Sequence, residues 1–310
     1  MKSSATANPV LTGHAEKFMR APGGFVGARI FPAFSSAAQS SDYYVFDAEN
    51  HLGVPTGIRH APGSGFKRIL PKASDDNFAC RDYGIEVPVP DTQRAKYRNQ
   101  IDLDLSAARR LTDIIKINHE IRVVNLITSS VPSAAIQTKW NTANSNPIAD
   151  VDAAREEIRK GIGVLPNTGV ISRPMLNTLK VHSKLQEVFK YTTPGVLDEQ
   201  KLANYFGLRE ILVADQVIAS NQEGQAVTAA DIWSSNFLLA HTNPGSDLMQ
   251  LNLGRTFYWD EFGSVGADGV PIQVQTYRDE PVESDVHRAR HFTDEKIVCS
   301  AAGYLLTGCL

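Results

Sequence analysis

Two histidines four residues apart, His287 and His291, stand beside Glu283 and Asp285, and His119 is followed directly by Glu120. Imidazole and carboxylate are the groups that hold divalent metals or move protons near neutral pH. Neither cluster makes a complete ligand set. A zinc helix needs a second histidine four positions after the first, and position 123 is Val. The 287–291 pair needs a helix and a third ligand. Its setting, PVESDVHRARHFTDE, alternates charge without an apolar face and reads as a solvated loop. Asp260 and Glu261 are adjacent carboxylates beside Tyr258 and Trp259. Glycosidase carboxylates face each other across a cleft, about 5–10 Å apart, whereas strand neighbours point to opposite faces. A carbohydrate-acting enzyme using Asp260 or Glu261 is therefore the weakest of the functional readings. There is no Gly-Lys pair for a phosphate loop. Gly161, Gly163 and Gly169 close a helix instead of opening one, and APGSGF is a loop string, not a nucleophile elbow. No catalytic residue, no cofactor and no metal ligand is expected, and the chain does not read as an enzyme.

Bulk properties narrow the class further. The 310 residues are 42% apolar and 21% charged, with a net charge of −3. Those are values of a soluble globular chain, and they argue against strong free-standing nucleic-acid binding. The three cysteines, Cys80, Cys299 and Cys309, are odd in number and far apart, which reads as buried or idle thiols in a reducing compartment. No run approaches the roughly 20 apolar residues of a membrane span. The start, MKSSATANPVLTGHAEKF, has no apolar signal region, so synthesis in a cytosol is expected.

The elements divide into unlike parts. The first ninety residues carry half of the 16 prolines, and their apolar residues come singly: Leu11, Phe18, Met19, Phe25, Val26, Ile30, Phe31 and Phe34. A segment without its own core stays disordered or is buried on something else. An arm laid across neighbouring subunits suits that spacing. DYYVFD (42–47) and DYGIEVPV (82–89) alternate as strands do, joined by a Gly/Pro-rich stretch too long for a tight turn. Pro88 and Pro90 bar the second strand from a central position. Ile101–Ser130 then runs without Gly or Pro, with Leu103, Ala107, Leu111, Ile114, Ile115, Asn118, Ile121 and Leu126 near helical spacing. That predicts a helix about 45 Å long, with Arg109, Arg110, Lys116 and Arg122 mostly off its apolar stripe. Further helices are predicted at 152–162, after Arg173–Pro174, and at 197–206 before Gly207. Strands are predicted at 169–172 and 209–219, and the last third is β-rich.

That order resembles the coat proteins of tailed bacteriophages, the Hong Kong 97-type fold. SDYYVFD followed by FACRDYGIEVPVPDTQRAKYRNQIDLDLSAARRLTDIIKINHEIRVVNLI resembles the family's extended loop and spine helix. GVISRPMLNTLKVHSKLQEVFKY and REILVADQVIA resemble parts of its axial domain, and VQTYRDE with HFTDEKIVCSAAGYLLTGC resembles the return into its peripheral domain. The resemblance implies an α+β subunit with an N-arm at 1–40 and an extended β loop at 41–90. It places the peripheral domain at 91–163 and 266–310, and the axial domain at 164–265. It implies a major capsid protein that self-assembles into hexamers and pentamers around double-stranded DNA. Scaffold, portal and decoration proteins would be its partners, contact with DNA would be non-specific, and assembly would take place in the host cytoplasm. The arm begins almost at Met1, which implies a separate scaffold or none. Lys67 or Lys72 could serve a subunit cross-link, though no signature for one is visible. Leu11, Phe18, Phe25, Phe31, Phe34, Tyr43, Tyr44, Phe46 and Phe66 are the expected interface residues. Arg109, Arg110, Lys116 and Arg122 are the expected DNA-facing ones. An encapsulin-like compartment sharing the fold, and a ring-forming phage adaptor, are the competing readings.

Overall fold

A computed structural model describes residues 6–7, 24–45, 52–54, 56, 58–59, 66, 68, 74–97, 102–142, 144–192, 197–219, 228–245, 247–262, 265–266 and 269–310. Leu11, Phe18, Phe46, Lys67 and Lys72 lie outside the described residues. The helices are α1 (Gly27–Ile30), α2 (Asp91–Tyr97), α3 (Leu103–Ser130), α4 (Pro147–Ile162), α5 (Arg173–Val181), α6 (Ser183–Thr192) and α7 (Glu199–Tyr205). None among the described residues is long and apolar enough to cross a membrane.

The spine, α3, is one unbroken helix of 28 residues. The Asp102 side chain caps it by accepting the Leu105 N–H at 3.1 Å, and Val131–Pro132 ends it. Its buried face is not the expected stripe. Ala107, Leu111 and Ile115 are buried, but Asn118 is exposed, and burial continues through Lys116, His119, Glu120, Val123 and Ile127. The helix is covered on more than one flank, so polar residues are buried along with apolar ones and amphipathic spacing underestimates its contacts.

Two larger sheets flank the spine. The first comprises β1 (Thr6–Ala7), β13 (Gln273–Asp279), β14 (Ser284–Ile297), β12 (Gly254–Trp259) and β2 (Ala33–Ser36) in that order. β5 (Arg81–Pro90) lies along the other side of β14. The second is ordered β6 (Ser133–Ala135), β15 (Gly303–Thr307), β11 (Phe237–Ala240), β7 (Thr168–Ser172) and β8 (Glu210–Ala214). Smaller ribbons pair β3 (Ser40–Val45) with β4 (Ser74–Ala79), and β9 (Val217–Ala219) with β10 (Ala229–Asp231).

Several expectations are corrected here. The 283–295 segment is not a solvated loop but most of β14. Its side chains alternate: His287, Ala289, His291 and Thr293 are buried, while Arg288, Arg290, Phe292 and Asp294 are half-exposed on the other face. The 82–89 strand does not partner 42–47. It pairs with β14, and the partner of β3 is SDDNFA, whose register runs from Ser40↔Ala79 to Val45↔Ser74. That strand escapes pattern reading because Phe78 is its one large apolar residue. Pro88 and Pro90 stand on an edge, opposite Val286 and Ser284. The 209–219 run breaks at Asp215–Gln216 into β8 and β9. α4 begins five residues earlier than expected because Pro147 is accommodated in its first turn. Gly163 (φ 75°) and Gly207 (φ 64°) end α4 and α7 in the left-handed region. Three elements cross the expected domain division: β12 joins the first sheet, and β6 and β15 join the second.

The largest core cluster joins α3, α4, α5 and the second sheet, and Phe31 lies within it at 0% exposure. A Cβ on Gly254 would come within 2.5 Å of the Phe31 ring, so Gly is required at that contact. Phe31→Ala should cost the subunit about 3–5 kcal/mol in urea unfolding. A loss below about 1 kcal/mol would contradict this packing.

Candidate assembly surface and the buried network behind it

The arm enters the subunit through one carboxylate. Glu120 of α3 is 1% exposed. Its Oε2 accepts the Gly27 N–H at 2.7 Å. Its Oε1 accepts the Val26 N–H at 3.2 Å and the Trp233 indole N–H at 2.6 Å. Burial raises the Glu120 pKa, and the three donors oppose that rise. A Cβ on Gly27 would stand 2.7 Å from Oε2, so the close approach requires glycine. Arg29 pairs with Glu210, tying α1 to the second sheet.

From residue 25 onward the arm is therefore part of the subunit's own core. The expectation that Phe25 and Phe31 await a neighbour is corrected: both are buried within this chain. Phe34 is half-buried and meets Phe257 edge-on at 5.7 Å. Tyr43 is buried as well. Its hydroxyl reaches Asp76 Oδ2 at 3.0 Å and the Ile297 carbonyl at 3.2 Å, and burial followed by the Asp76 hydrogen bond raises its pKa. Phe78 stacks on Phe257 at 4.3 Å. Tyr44 is half-buried. These aromatic contacts fasten the base of the β3–β4 ribbon to the first sheet.

Between β3 and β4 the described apolar residues face solvent. Leu52 is 45% exposed, Val54 85%, Ile58 75% and Phe66 78%. Four exposed apolar side chains in one connection are the pattern of a surface that another molecule covers. Among the described interface expectations Phe66 is strongly solvent-exposed, and Leu52, Val54 and Ile58 are exposed beside it in the chain.

The four cations do not form a phosphate-facing row. Arg110 is exposed, Arg109 half-buried and Lys116 3% exposed. Arg122 forks onto Glu295, with Nε to Oε2 at 2.9 Å and Nη2 to Oε1 at 2.8 Å, and it covers the Tyr83 ring at 4.0 Å. The DNA-facing expectation is thus corrected for Lys116, by burial, and for Arg122, by its ion pair. Asp260 and Glu261 lie exposed on one short turn.

Sequence reading missed the network between α3 and the inner face of β14. His119 Nε2 lies 3.2 Å from Thr256 Oγ1 and 3.7 Å from Glu295 Oε1. Thr293 Oγ1 bridges His291 Nε2 at 2.7 Å and Glu295 Oε1 at 3.0 Å, while His291 Nδ1 lies 2.8 Å from the Pro271 carbonyl. Nearer the helix start, His287 Nε2 lies 2.9 Å from Asp104 Oδ1, which also takes Arg94 at 2.7 Å. The signal that would have found this is the period of two in HRARHFTDE, which puts His287, His291, Thr293 and Glu295 on one face. Among the described residues no group of three or more His, Cys, Asp or Glu side chains is placed to hold a metal. Burial alone would raise the Glu295 carboxyl, yet the Arg122 fork holds it well below the usual range. Burial pushes His119 down to about 3, and the nearby Glu295 charge only partly opposes this.

His119 therefore links stability to pH. Above about 6.5 it is neutral folded and unfolded. As pH falls below that, the unfolded chain takes up a proton that the folded chain refuses until about pH 3. Its share of stability is fully present above pH 6.5 and is lost on acidification, by about 1.4 kcal/mol per pH unit. Glu120, shifted upward, acts in the opposite sense, so the test is a difference. Urea unfolding of the parent minus His119→Gln should decline between about pH 6.5 and 5; a flat difference would contradict a neutral buried imidazole.

No family model matches the chain. The major capsid protein of Burkholderia phage BcepMu is 25% identical over 310 residues, covering 97% of this chain and 96% of its own. Among solved structures, a phage-related protein from Bordetella bronchiseptica RB50 superposes with a TM-score of 0.74 at 20% identity, over 99% of both chains. The mature capsid of bacteriophage PhiM1 and the SrpI encapsulin of Synechococcus elongatus each give a TM-score of 0.56. Their identities are 12% and 13%, over 99% of this chain and 90% and 91% of theirs. With its spine helix, anchored arm and apolar loop, the chain is a homologue of phage major capsid proteins and carries the Hong Kong 97-type coat fold.

Proposed function

We propose that this major capsid protein assembles as hexamers and pentamers into an icosahedral shell around double-stranded DNA. The observation that carries the reading is the loop between β3 and β4. Its base is fixed by Tyr43, Phe78 and Phe257, while Leu52, Val54, Ile58 and Phe66 are left exposed. Covering such side chains stabilises by about 1.5–3 kcal/mol each, and a shell repeats the gain at every contact. The proposed division keeps an arm at 1–40 and a loop at 41–90. A peripheral part spans 91–163 with 266–310, and an axial part spans 164–265, except that β12 lies in the first sheet and β6 and β15 in the second. Scaffold and portal proteins, DNA held without sequence preference, and assembly in the host cytoplasm complete the proposal. DNA contact then rests on exposed cations such as Arg110, with Arg109 beside it, and not on Arg122 or Lys116.

Closed particles of the expressed chain in negative-stain micrographs, filled with DNA when recovered from virions, would support this. Particles enclosing a protein cargo instead would favour the compartment reading. The double variant Ile58→Asp, Phe66→Asp should leave subunit unfolding unchanged within about 0.5 kcal/mol, yet abolish particles in sedimentation. Normal particles from it would overturn the loop's role.

A further inference from the structure

Among the described residues β6 stands at the end of the second sheet, with β15 as its partner. The Leu305 N–H donates to the Pro132 carbonyl at 2.9 Å, and the Ile136 N–H to the Thr307 carbonyl at 3.2 Å. Backbone groups alternate in direction along a strand, so Ser133 and Ala135 turn theirs away from β15. The sequence of β6, SAA, has neither charge nor proline to guard that edge. Beside it runs α4, and the two enclose a groove of about 710 Å³, a size that suits a short peptide. Ala134 and Ala135 on one wall, and Ala153 and Ala154 on the other, are small enough to let a backbone approach. The charged lining is acidic: Asp150, Glu156 and Glu157 against Lys160. Asp150 accepts the neutral Trp140 indole N–H at 2.8 Å, which leaves its charge in place. Glu156 meets Arg159 at 2.6 Å and Glu157 meets Lys160 at 3.1 Å, both as exposed pairs one turn apart. Such pairs contribute little and exchange readily for another cation.

We propose that this groove binds an extended, lysine- or arginine-bearing segment of another protein, which joins β6 as an added strand. Main-chain hydrogen bonds to Ser133 and Ala135 supply affinity, and alternate cationic side chains reach the carboxylates of α4. The wall formed by residues 134–138 spans about 17 Å if extended, so about five residues of the partner lie in the groove. A polynucleotide is the wrong occupant, because its phosphates meet like charge. A second copy is a poorer fit than a basic partner, since the chain carries a net charge of −3. The groove is complete within one subunit, so the proposal goes beyond the shell reading and does not depend on it.

Fluorescence polarisation with three labelled heptapeptides tests this on the purified chain. The peptides are Thr and Lys in alternation, Thr and Glu in alternation, and the Thr/Lys peptide with its inner threonines replaced by proline. Saturable binding of the Thr/Lys peptide alone is expected. The proline peptide keeps the charge but lacks main-chain donors, and should bind at least about 10-fold more weakly. Ala135→Pro removes an N–H that faces away from β15, and should weaken the Thr/Lys peptide by a similar factor with the urea midpoint unchanged. The double variant Asp150→Asn, Glu157→Gln should weaken it about 5-fold at low salt. Equal binding of the proline and Thr/Lys peptides would overturn strand addition, whether or not Ala135→Pro folds. Binding of the Thr/Glu peptide, no saturable binding of the Thr/Lys peptide, or binding that both sets of substitutions leave unchanged would overturn the site. Self-association of the chain that Ala135→Pro abolishes would assign the groove to a second copy and overturn the basic partner.

Discussion

Glu120 is fully buried and its three donors are all uncharged: the Val26 and Gly27 amides and the Trp233 indole. A carboxylate in that position is costly unless every donor is in place, because desolvation alone is unfavourable by several kcal/mol. The donors come from two distant segments, residues 26–27 and Trp233, so the cost is met only when the arm, the spine and the segment before β11 have all assembled. The amides of residues 26 and 27 also open α1, where a negative charge is favoured. One side chain thereby fixes where the arm stops being free and begins to be core. Removing it would leave buried donors unpaired, at about 1–3 kcal/mol each, and would unfasten three elements together.

The opposite flank of the spine is held by different chemistry. Asp104, His119 and Arg122 face His287, His291 and Glu295 of β14, so that contact is a polar seam as much as an apolar one. The apolar part of the seam is short: Ala108, Leu111 and Ile115 against Val274 and Ala289. Directional contacts of this kind fix the register between helix and strand, which a smooth apolar face would leave less defined. They also explain why the spine's burial defies a simple amphipathic stripe. His119 and Glu120 are neighbours in sequence, yet they serve the seam and the arm latch respectively.

Much of the fold was legible before any coordinates. The breaker-free run after Ile101 predicts the spine within two residues at its start, and the glycines after 162 and 206 predict two helix ends. The order of arm, loop, spine and mixed domains carried the likeness to phage coat proteins. What escaped did so for physical reasons. HRARHFTDE was read by charge, and charge hid an alternation whose buried half is histidine, threonine and glutamate. SDDNFA has too little apolar content to announce a strand; Phe78 stacking on Phe257 supplies what the pattern lacks. Phe25 and Phe31 were assigned to a neighbour because no local core was visible. Their core is formed by residues more than ninety positions away, and linear spacing carries no record of that. The exposed loop residues Val54 and Ile58 were missed because single apolar residues among glycines and prolines give no periodic signal at all.

The division of labour that results has an energetic consequence. The arm from residue 25, the spine and both sheets are closed upon themselves by buried carboxylates, an Arg–Glu fork and aromatic stacks, so little of that energy remains to join subunits. On the proposed shell reading, association draws on the apolar loop, whose gain is modest at one contact and repeated at every one. Weak, repeated contacts suit a closed shell. A single pair of copies gains too little to offset lost translational freedom, whereas a copy held by several neighbours gains the contacts together. A slightly acidic subunit with a self-contained interior can therefore stay dispersed at low concentration and assemble steeply above a threshold.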